Sequence, residues 1–331
     1  FAVMNADPAW MYWTFNADRR SFMATVNGRD EFVFHTQLKP EEADRDITEA
    51  EARAMFAQSF GRETDFQILS RASWTAGFAL VAERFRQGRL FIAGDAAHLF
   101  TPTGGLGYNT AIEDAVNLGW KLAAVVKGWG GAGLLDTYDL ERRPNALRNT
   151  GYARGFADSI GLFVPVPELE DAGPAGDKAR QGAGCYLENH ARAEFNIPGI
   201  TFGGRFDGSP IVVADGTAPP PDAANEYVQT ACPGGRAPHA WLADGRSLFD
   251  VLGFEFTLLR LDGEADVQSL ADAAATLKLS LTVADLSGES LRDLYKTDLA
   301  LIRPDQVVVW RGDALPEDPR ALLETVTAYR P

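Results

Sequence analysis

The spacing of apolar residues changes along the chain, and the first such pattern predicts β-structure over residues 10–38. Aromatic and β-branched residues are dense at 22–26 and 31–36, on either side of Asn27-Gly28. This dipeptide supplies the positive φ of a tight turn, so the pattern predicts a β-hairpin. Thr48, followed by Glu49 and Glu51, is typical of a helix start, and Ala52, Met55 and Phe56 share one helical face.

Two further apolar patterns predict strands before residue 100. Residues 67–79 alternate weakly and predict a strand with a bend. Residues 90–93 form a short continuous apolar run that ends at Gly94-Asp95. Such a run is typical of a buried strand in a parallel sheet that is covered on both faces.

Long helices are predicted in the middle of the chain. From about Thr110 to Lys127 the apolar residues form one stripe, and Glu113, Asp114 and Lys121 lie outside it. Glycines at 128–133 end this helix. A second helical pattern runs from residue 134 to about 160 and contains Pro144, which marks a start, a kink or a junction.

The last third of the chain predicts a separate small α/β domain. Residues 164–230 contain Gly and Pro clusters and predict a connecting segment with short strands, such as one at 211–213. Beyond residue 236, strands and helices alternate. Strands are expected at 256–260, 279–283 and as a pair within 300–310, and helices at 267–277 and 319–329.

Composition excludes several classes of partner. The 331 residues carry a net charge of −15, which disfavours nucleic acids and anionic membrane surfaces. No window approaches the run of about 18 apolar residues that a membrane helix needs. The two cysteines, Cys185 and Cys232, stand in unrelated contexts, so no disulfide framework and no metal site is expected, and a reducing, cytoplasmic location is favoured. The chain opens without Met and reaches core-type aromatics at once, so we expect further residues upstream of Phe1, with a processed terminus as the alternative.

The stretch that carries chemistry is residues 88–109. Its strand would deliver Asp95 at a carboxyl end, where open α/β sheets bind ligands. Gly104, Gly105 and Gly107 would let the backbone approach a ligand, and the following helix would point its positive dipole end there. The pattern therefore predicts a site for a flat, electron-rich or anionic group attached to a polyol. Gly-Gly-x-Gly alone is a weak signal and does not match Gly-x-Gly-x-x-Gly, so the prediction depends on the ordered combination.

In these motifs the sequence resembles the flavin-dependent aromatic hydroxylases, which are single-component FAD monooxygenases with the p-hydroxybenzoate hydroxylase fold. It looks most like the branch of phenol and polyketide hydroxylases with a C-terminal thioredoxin-like domain. The resemblance covers residues 89–109, 113–123, 135–144 and 233–242. It implies a mixed α/β and α+β architecture. The implied parts are a substrate-domain sheet and helix (1–80), the flavin end of the FAD-binding domain (81–163), a connecting segment (164–230) and a thioredoxin-like domain (231–331).

The resemblance also implies roles for residues in the FAD site. Asp95 would hold the ribityl chain, Pro102 would lie near the reactive edge of the isoalloxazine, and the N–H groups of residues 107–109 would face its pyrimidine end. Arg89 and His98 match the motif, either as site residues or as a surface charge and a structural histidine. The full implied cofactor set is Gly94, Asp95, Pro102, Gly104, Gly105, Leu106, Gly107, Tyr108 and Asn109.

Departures from the family pattern affect both ends of the site. Relatives often carry a polar residue at the position of Leu106 and a smaller or aliphatic one at Tyr108. The family's N-terminal β-α-β unit that carries Gly-x-Gly-x-x-Gly, and the Asp-Gly motif that follows this unit, are not found in residues 1–331, so we expect weak FAD binding by these residues alone. Cys-x-x-Cys is missing as well, so the last domain is expected to act in packing or dimerisation.

In the family, an antiparallel sheet over the flavin lines the substrate cavity, and the aromatic-rich region 10–38 would belong to it. No residue is identified as a general base. The candidates, each either pocket lining or plain sheet core, are Met11, Trp13, Phe34, His35, Gln37, Trp74 and Phe78.

The resemblance implies an NAD(P)H-dependent FAD monooxygenase, and a homodimer is compatible with it. It would use O₂ to hydroxylate a small aromatic substrate, phenolic or polycyclic, through a flavin C4a-hydroperoxide. The sequence leaves two alternatives open. One is Baeyer–Villiger oxygen insertion on the same fold, and the other is a non-catalytic binding or scaffold protein.

Overall fold

The computed structural model describes residues 7–43, 45–73, 78–161 and 163–329. The chain divides into two compact units, one formed by 1–75 with 159–190 and the other by 76–158 with 191–331. The strands in the described residues are β1 (Met11–Phe15), β2 (Arg20–Thr25), β3 (Phe32–Thr36), β4 (Leu80–Val81), β5 (Arg86–Gln87), β6 (Leu90–Phe91), β7 (His98–Leu99), β8 (Phe256–Arg260), β9 (Leu281–Asp285), β10 (Leu299–Ile302) and β11 (Val308–Gly312). The α-helices are α1 (Glu49–Phe60), α2 (Leu106–Lys127), α3 (Thr137–Gly161), α4 (Pro174–Phe195), α5 (Pro198–Phe202), α6 (Gln268–Thr276), α7 (Arg292–Tyr295) and α8 (Pro319–Val326).

The first unit contains the predicted hairpin as part of a three-stranded antiparallel sheet in the order β1-β2-β3. Helix α1 starts at a capping box, in which Thr48 Oγ1 accepts the N–H of Glu51 and the Glu51 carboxylate accepts the N–H of Thr48. It ends at Gly61, which has a φ of +76°. The predicted helix start and the predicted hairpin are both confirmed.

The second unit contains a four-stranded mixed sheet in the order β11-β10-β8-β9. β8 and β9 are parallel, whereas β10 is antiparallel to both of its neighbours. Buried residues of this sheet, including Leu258, Leu299 and Leu301, belong to one apolar cluster with Trp120 of α2 and Leu323 of α8. The predicted strand at 256–260 and the strand pair around 300–310 are confirmed, and the strand predicted at 279–283 lies two residues later.

The predicted parallel strand at 90–93 is wrong in the described residues. β6 has two residues and pairs antiparallel with β5, and Leu90 is 75 % exposed. A strand is buried on both faces only where other strands and helices cover it, and in the described part of the chain β6 pairs with one strand of two residues. The strand predicted over 67–79 is also wrong where the structure describes it, since residues 67–73, 78 and 79 have no regular structure.

The segment 164–230 differs from its prediction as well. It contains α4, a 22-residue helix, and residues 211–213 are not a strand. Pro174 opens this helix at a position where a missing N–H costs nothing, and Gly182 and Gly184 have open space around them. Among the described residues, no helix has the length and apolarity needed to cross a membrane.

Candidate functional site

Asp95 lies in a single 3₁₀ turn, Gly94–Ala96, that packs against α2. Gly94 has a φ of +58°, and a Cβ at this position would lie 3.2 Å from the Cβ of Ala111. Both the backbone conformation and the close approach therefore require glycine. The side chain of Asp95 is exposed and makes no hydrogen bond or ion pair with any described residue. Its carboxylate is available to a ligand.

The loop before α2, residues 102–105, turns the backbone twice into the left-handed region. Gly104 and Gly105 have φ values of +77° and +63°, and the N–H of Gly105 donates to the Pro102 carbonyl at 3.3 Å. Helix α2 begins at Leu106 with no side-chain cap. The first N–H groups of a helix have no intrahelical acceptor and carry the positive end of its dipole. The helix start therefore offers hydrogen-bond donors to an electron-rich group.

The structure brings the two halves of the predicted site together. Ala111, which touches the Gly94 turn, lies in the second turn of the helix that Leu106 begins. Tyr108 is 77 % exposed, while Leu106 is buried in an apolar cluster with Ala153. Leu106 can therefore offer only its backbone to a ligand.

These groups fit the flavin end of FAD. The exposed carboxylate of Asp95, which has no partner among the described residues, suits the hydroxyls of a ribityl chain. Gly94 has no side chain that would fill the space beside the turn. The uncapped start of a 22-residue helix suits the electron-rich edge of a flat ring. The roles of the individual residues stay a prediction.

A buried polar network that sequence reasoning missed fixes the Asp95 turn. Asp114 of α2 is fully buried, and its Oδ2 accepts the N–H of Gly94 at 3.1 Å and lies 2.6 Å from His98 Nε2. Its Oδ1 accepts Nε–H of Arg142 at 2.8 Å. Burial alone would raise the pKa of Asp114, but the His98 contact and the Arg142 charge outweigh it, so the pKa lies below its usual value. His98 is therefore a buried partner of Asp114.

The network continues along the interface between α2 and α3, which is polar. Asn149 donates to Thr110 Oγ1 at 3.1 Å, and Glu141 accepts from Asn117 at 2.9 Å and from Lys121 at 2.7 Å. Asp114 and Lys121 lie outside the apolar stripe predicted for this helix, and yet both are completely buried. The signal in the sequence is the helical spacing of four polar residues on α2, namely Thr110, Asp114, Asn117 and Lys121.

Most of the substrate candidates lie on one face of the β1-β2-β3 sheet. Strand alternation and register place Met11, Trp13 and His35 on this face. Gln37, which directly follows β3, falls on the same face by the same alternation. His35 stacks on Phe22 with ring centroids 4.4 Å apart, and burial lowers its pKa. Gln37 accepts a hydrogen bond from Arg20 at 2.6 Å. The face is aromatic with polar groups along one edge.

One further candidate of the first unit lies on the opposite face of the sheet. Phe34 points to the opposite side, where its ring packs against Phe56 of α1 with centroids 5.2 Å apart. Phe78 belongs to the second unit and is 69 % exposed. Trp74 lies outside the described residues.

Comparisons with known proteins match both parts of the chain. Residues 1–152 match the family described as "FAD binding domain", and residues 230–329 match the one described as "Aromatic-ring hydroxylase, C-terminal". The FAD-dependent monooxygenase apdD of Emericella nidulans is 35 % identical over 86 % of this chain and 47 % of its own length. Phenol 2-monooxygenase of a Pseudomonas species is 32 % identical over 79 % of this chain and 48 % of its own length.

Solved structures agree with these matches. The rebeccamycin biosynthetic enzyme RebC with reduced flavin superimposes with a TM-score of 0.86 at 33 % identity, over 99 % of this chain and 60 % of RebC. The chain spans about half the length of the two curated relatives. The mixed α/β and α+β architecture expected from the sequence is confirmed by this likeness.

Proposed function

The chain belongs to the FAD-dependent aromatic-ring hydroxylases, and from this premise we propose that the protein hydroxylates an aromatic substrate with bound FAD, O₂ and NAD(P)H. The observation that carries the proposal is the unpartnered carboxylate of Asp95, held beside the uncapped start of α2. A turn and a helix start arranged in this way provide one acceptor group and several donors for the flavin end of the cofactor.

In the proposed site, the residues of this chain bind and orient the flavin end of FAD. The Asp95 carboxylate accepts hydrogen bonds from ribityl hydroxyls, and Gly94 keeps the backbone free of bulk at that point. The N–H groups of residues 107–109 stabilise negative charge at the ring edge, because their dipoles are fixed in advance. FAD, when bound, supplies the oxygen-activating redox chemistry. Asp114, His98 and Arg142 keep the turn in place from beneath.

We propose a flat phenolic or polycyclic substrate. The face of the first unit that carries Trp13, Phe22 and His35 offers stacked rings, and the Arg20–Gln37 pair at its edge offers polar contacts. Apolar surfaces with a few fixed polar groups suit aromatic ligands of this kind. Phenol 2-monooxygenase, as its name says, acts on such a ring.

The experiment uses the full-length protein that contains this chain. Flavin absorbance after purification, NAD(P)H consumption that depends on an aromatic substrate, and incorporation of one atom from isotopically labelled dioxygen into a ring hydroxyl would support the proposal. An ester or lactone product would show Baeyer–Villiger insertion instead. A colourless protein that consumes no NAD(P)H would overturn the proposal in favour of a scaffold.

The proposal also covers location and assembly. Cys185 and Cys232 are both free, which suits the reducing cytoplasm. Cys232 is buried and forms no disulfide, so we assign the C-terminal part to packing or dimerisation rather than to thiol chemistry. Cell fractionation and sedimentation of the purified protein test these two assignments.

A further inference from the structure

A buried carboxyl group reaches the glycine loop from the last turn of α4. Glu194 is 9 % exposed, and its Oε1 accepts the N–H of Gly104 at 3.2 Å. Gly104 is the first of the two residues with a positive φ, so this bond fixes the amide at the point where the loop turns. Neither the motifs nor the apolar spacing of the sequence indicates Glu194.

The second oxygen of the same carboxyl group is an orphan. Oε2 is buried and has no hydrogen-bond partner in the part of the chain that the structure describes. An ionised carboxylate is costly to bury without a cation, so this environment favours the neutral acid. Burial raises the pKa of Glu194 above 4.5, the Gly104 N–H opposes this effect, and no charged side chain contributes.

Helix α3 holds both the loop and the end of α4. Thr103 Oγ1 donates to the Ala153 carbonyl at 3.1 Å, and the Tyr152 hydroxyl donates to the Ala193 carbonyl at 2.5 Å. Tyr152 is the titratable group that α3 brings to this place, and burial raises its pKa too. The hydrogen bonds from α3 therefore fix the backbone on both sides of the contact between Glu194 and Gly104.

We propose that Glu194 is a positioning residue that sets the conformation of the loop 102–105 and thereby aims the N–H groups at the start of α2. The proposal rests on the proposed function, because the flavin end of FAD is what these N–H groups would meet. Glu194 does not need to touch the cofactor to act in this way. Its loss would change how the loop is ordered and how tightly FAD is held.

The first test needs no cofactor. Glu194→Ala removes the acceptor of the Gly104 amide, whereas Glu194→Gln keeps an oxygen at the same distance. Amide hydrogen exchange of residues 102–109 is expected to become about tenfold faster in the alanine variant. It is expected to stay unchanged in the glutamine variant and in Glu170→Gln, an exposed control. Unchanged exchange in the alanine variant, or equal acceleration in both, would overturn the proposal.

The second test measures FAD affinity in the full-length protein. Glu194→Ala should weaken FAD binding about tenfold, and Glu194→Gln should stay within about twofold of the original. If the unsubstituted protein binds no FAD, the proposed function fails, while the exchange result still decides the role of Glu194. Unchanged affinity in the alanine variant would show that Glu194 does not affect FAD binding through the loop, and would overturn this part of the proposal.

A third measurement covers the case in which the alanine variant does not fold. Between pH 4.5 and the higher folded-state pKa, the unfolded chain releases the Glu194 proton while the folded chain retains it. The free energy of unfolding of the original protein, relative to Glu194→Gln, should therefore fall as pH rises above about 4.5. A constant difference would show that the carboxyl keeps its ordinary pKa and is therefore not buried against the loop, which would overturn the proposal.

Discussion

The carboxylate of Asp114 and the backbone N–H of Gly94 are joined by a hydrogen bond of 3.1 Å. The same side chain accepts from Arg142 and contacts His98, so one buried acid connects the turn before α2 with α2 and α3. Asp95 directly follows Gly94, and its own side chain makes no hydrogen bond or ion pair with a described residue that would fix its position. The geometry of the proposed ribityl contact therefore depends on a residue that would never touch the cofactor.

Removing the charge of Asp114 should destabilise the protein and loosen the turn. In Asp114→Asn, the guanidinium of Arg142 keeps Glu113, which is 46 % exposed, as its one charged partner among the described residues. Loss of one partner from a buried ion pair costs about 3–5 kcal/mol, which urea denaturation would measure. Glu113→Gln touches the same guanidinium from the exposed side and should cost less than about 1 kcal/mol. Equal losses in the two variants would show that burial is not the deciding difference.

Asp95→Ala should weaken FAD binding without destabilising the fold, in contrast to Asp114→Asn. Because the side chain is exposed and unpartnered in the described residues, its removal should leave the free energy of unfolding unchanged. The affinity of the full-length protein for FAD should fall about tenfold to a hundredfold, as expected for hydrogen bonds to a charged acceptor. Fluorescence titration with FAD measures this, and Asp95→Asn, which keeps one acceptor oxygen, should fall in between. A titration identical to that of the original protein would remove Asp95 from the site.

The features that could be predicted from the sequence are those that short segments determine. Thr48 with Glu51, Asn27-Gly28 and the glycines at 104 and 105 act on their own backbone, so local spacing reveals them. Burial of Asp114 and Lys121 depends on side chains of α3 that lie 28 and 20 residues further along the chain, and the apolar stripe of α2 gave no sign of these contacts. The four-residue run at 90–93 is equally typical of a buried strand and of a short hairpin arm, and only its pairing with β5 decides.

Gly94 should tolerate a methyl group less well than a comparable glycine elsewhere. Gly88 and Gly94 have φ values of +61° and +58°, but a Cβ at Gly88 meets nothing within 4 Å, whereas one at Gly94 meets Ala111. Gly88→Ala should cost about 1 kcal/mol from the backbone alone. Gly94→Ala should cost about 2–3 kcal/mol, because the contact adds to the strain. Equal losses in thermal or urea unfolding would mean that α2 moves away without penalty.

Glu141 should give the protein a pH dependence that its amide analogue lacks. Both of its oxygens accept hydrogen bonds from Arg303, and Lys121 donates to one of them. Burial would raise the pKa of Glu141, but the charges of Arg303 and Lys121 outweigh it and hold the pKa well below 4.5. Ionised Glu141 therefore stabilises the fold above about pH 4.5, and this contribution is lost as pH falls from that value towards the folded-state pKa.

At neutral pH, Glu141→Gln should cost about 3–5 kcal/mol, because Arg303 loses a buried partner. Near pH ~3.5 the difference in the free energy of unfolding between the two proteins should shrink by about 1 kcal/mol. At this pH Glu141 is already protonated in the unfolded chain, which stabilises the unfolded state. Urea denaturation at the two pH values measures both quantities. Glu83→Gln, at an exposed position of the same unit, should show neither effect. A difference that stays the same at both pH values would show that Glu141 has the same pKa in the folded and the unfolded protein, and that the charges of Arg303 and Lys121 do not stabilise its ionised form.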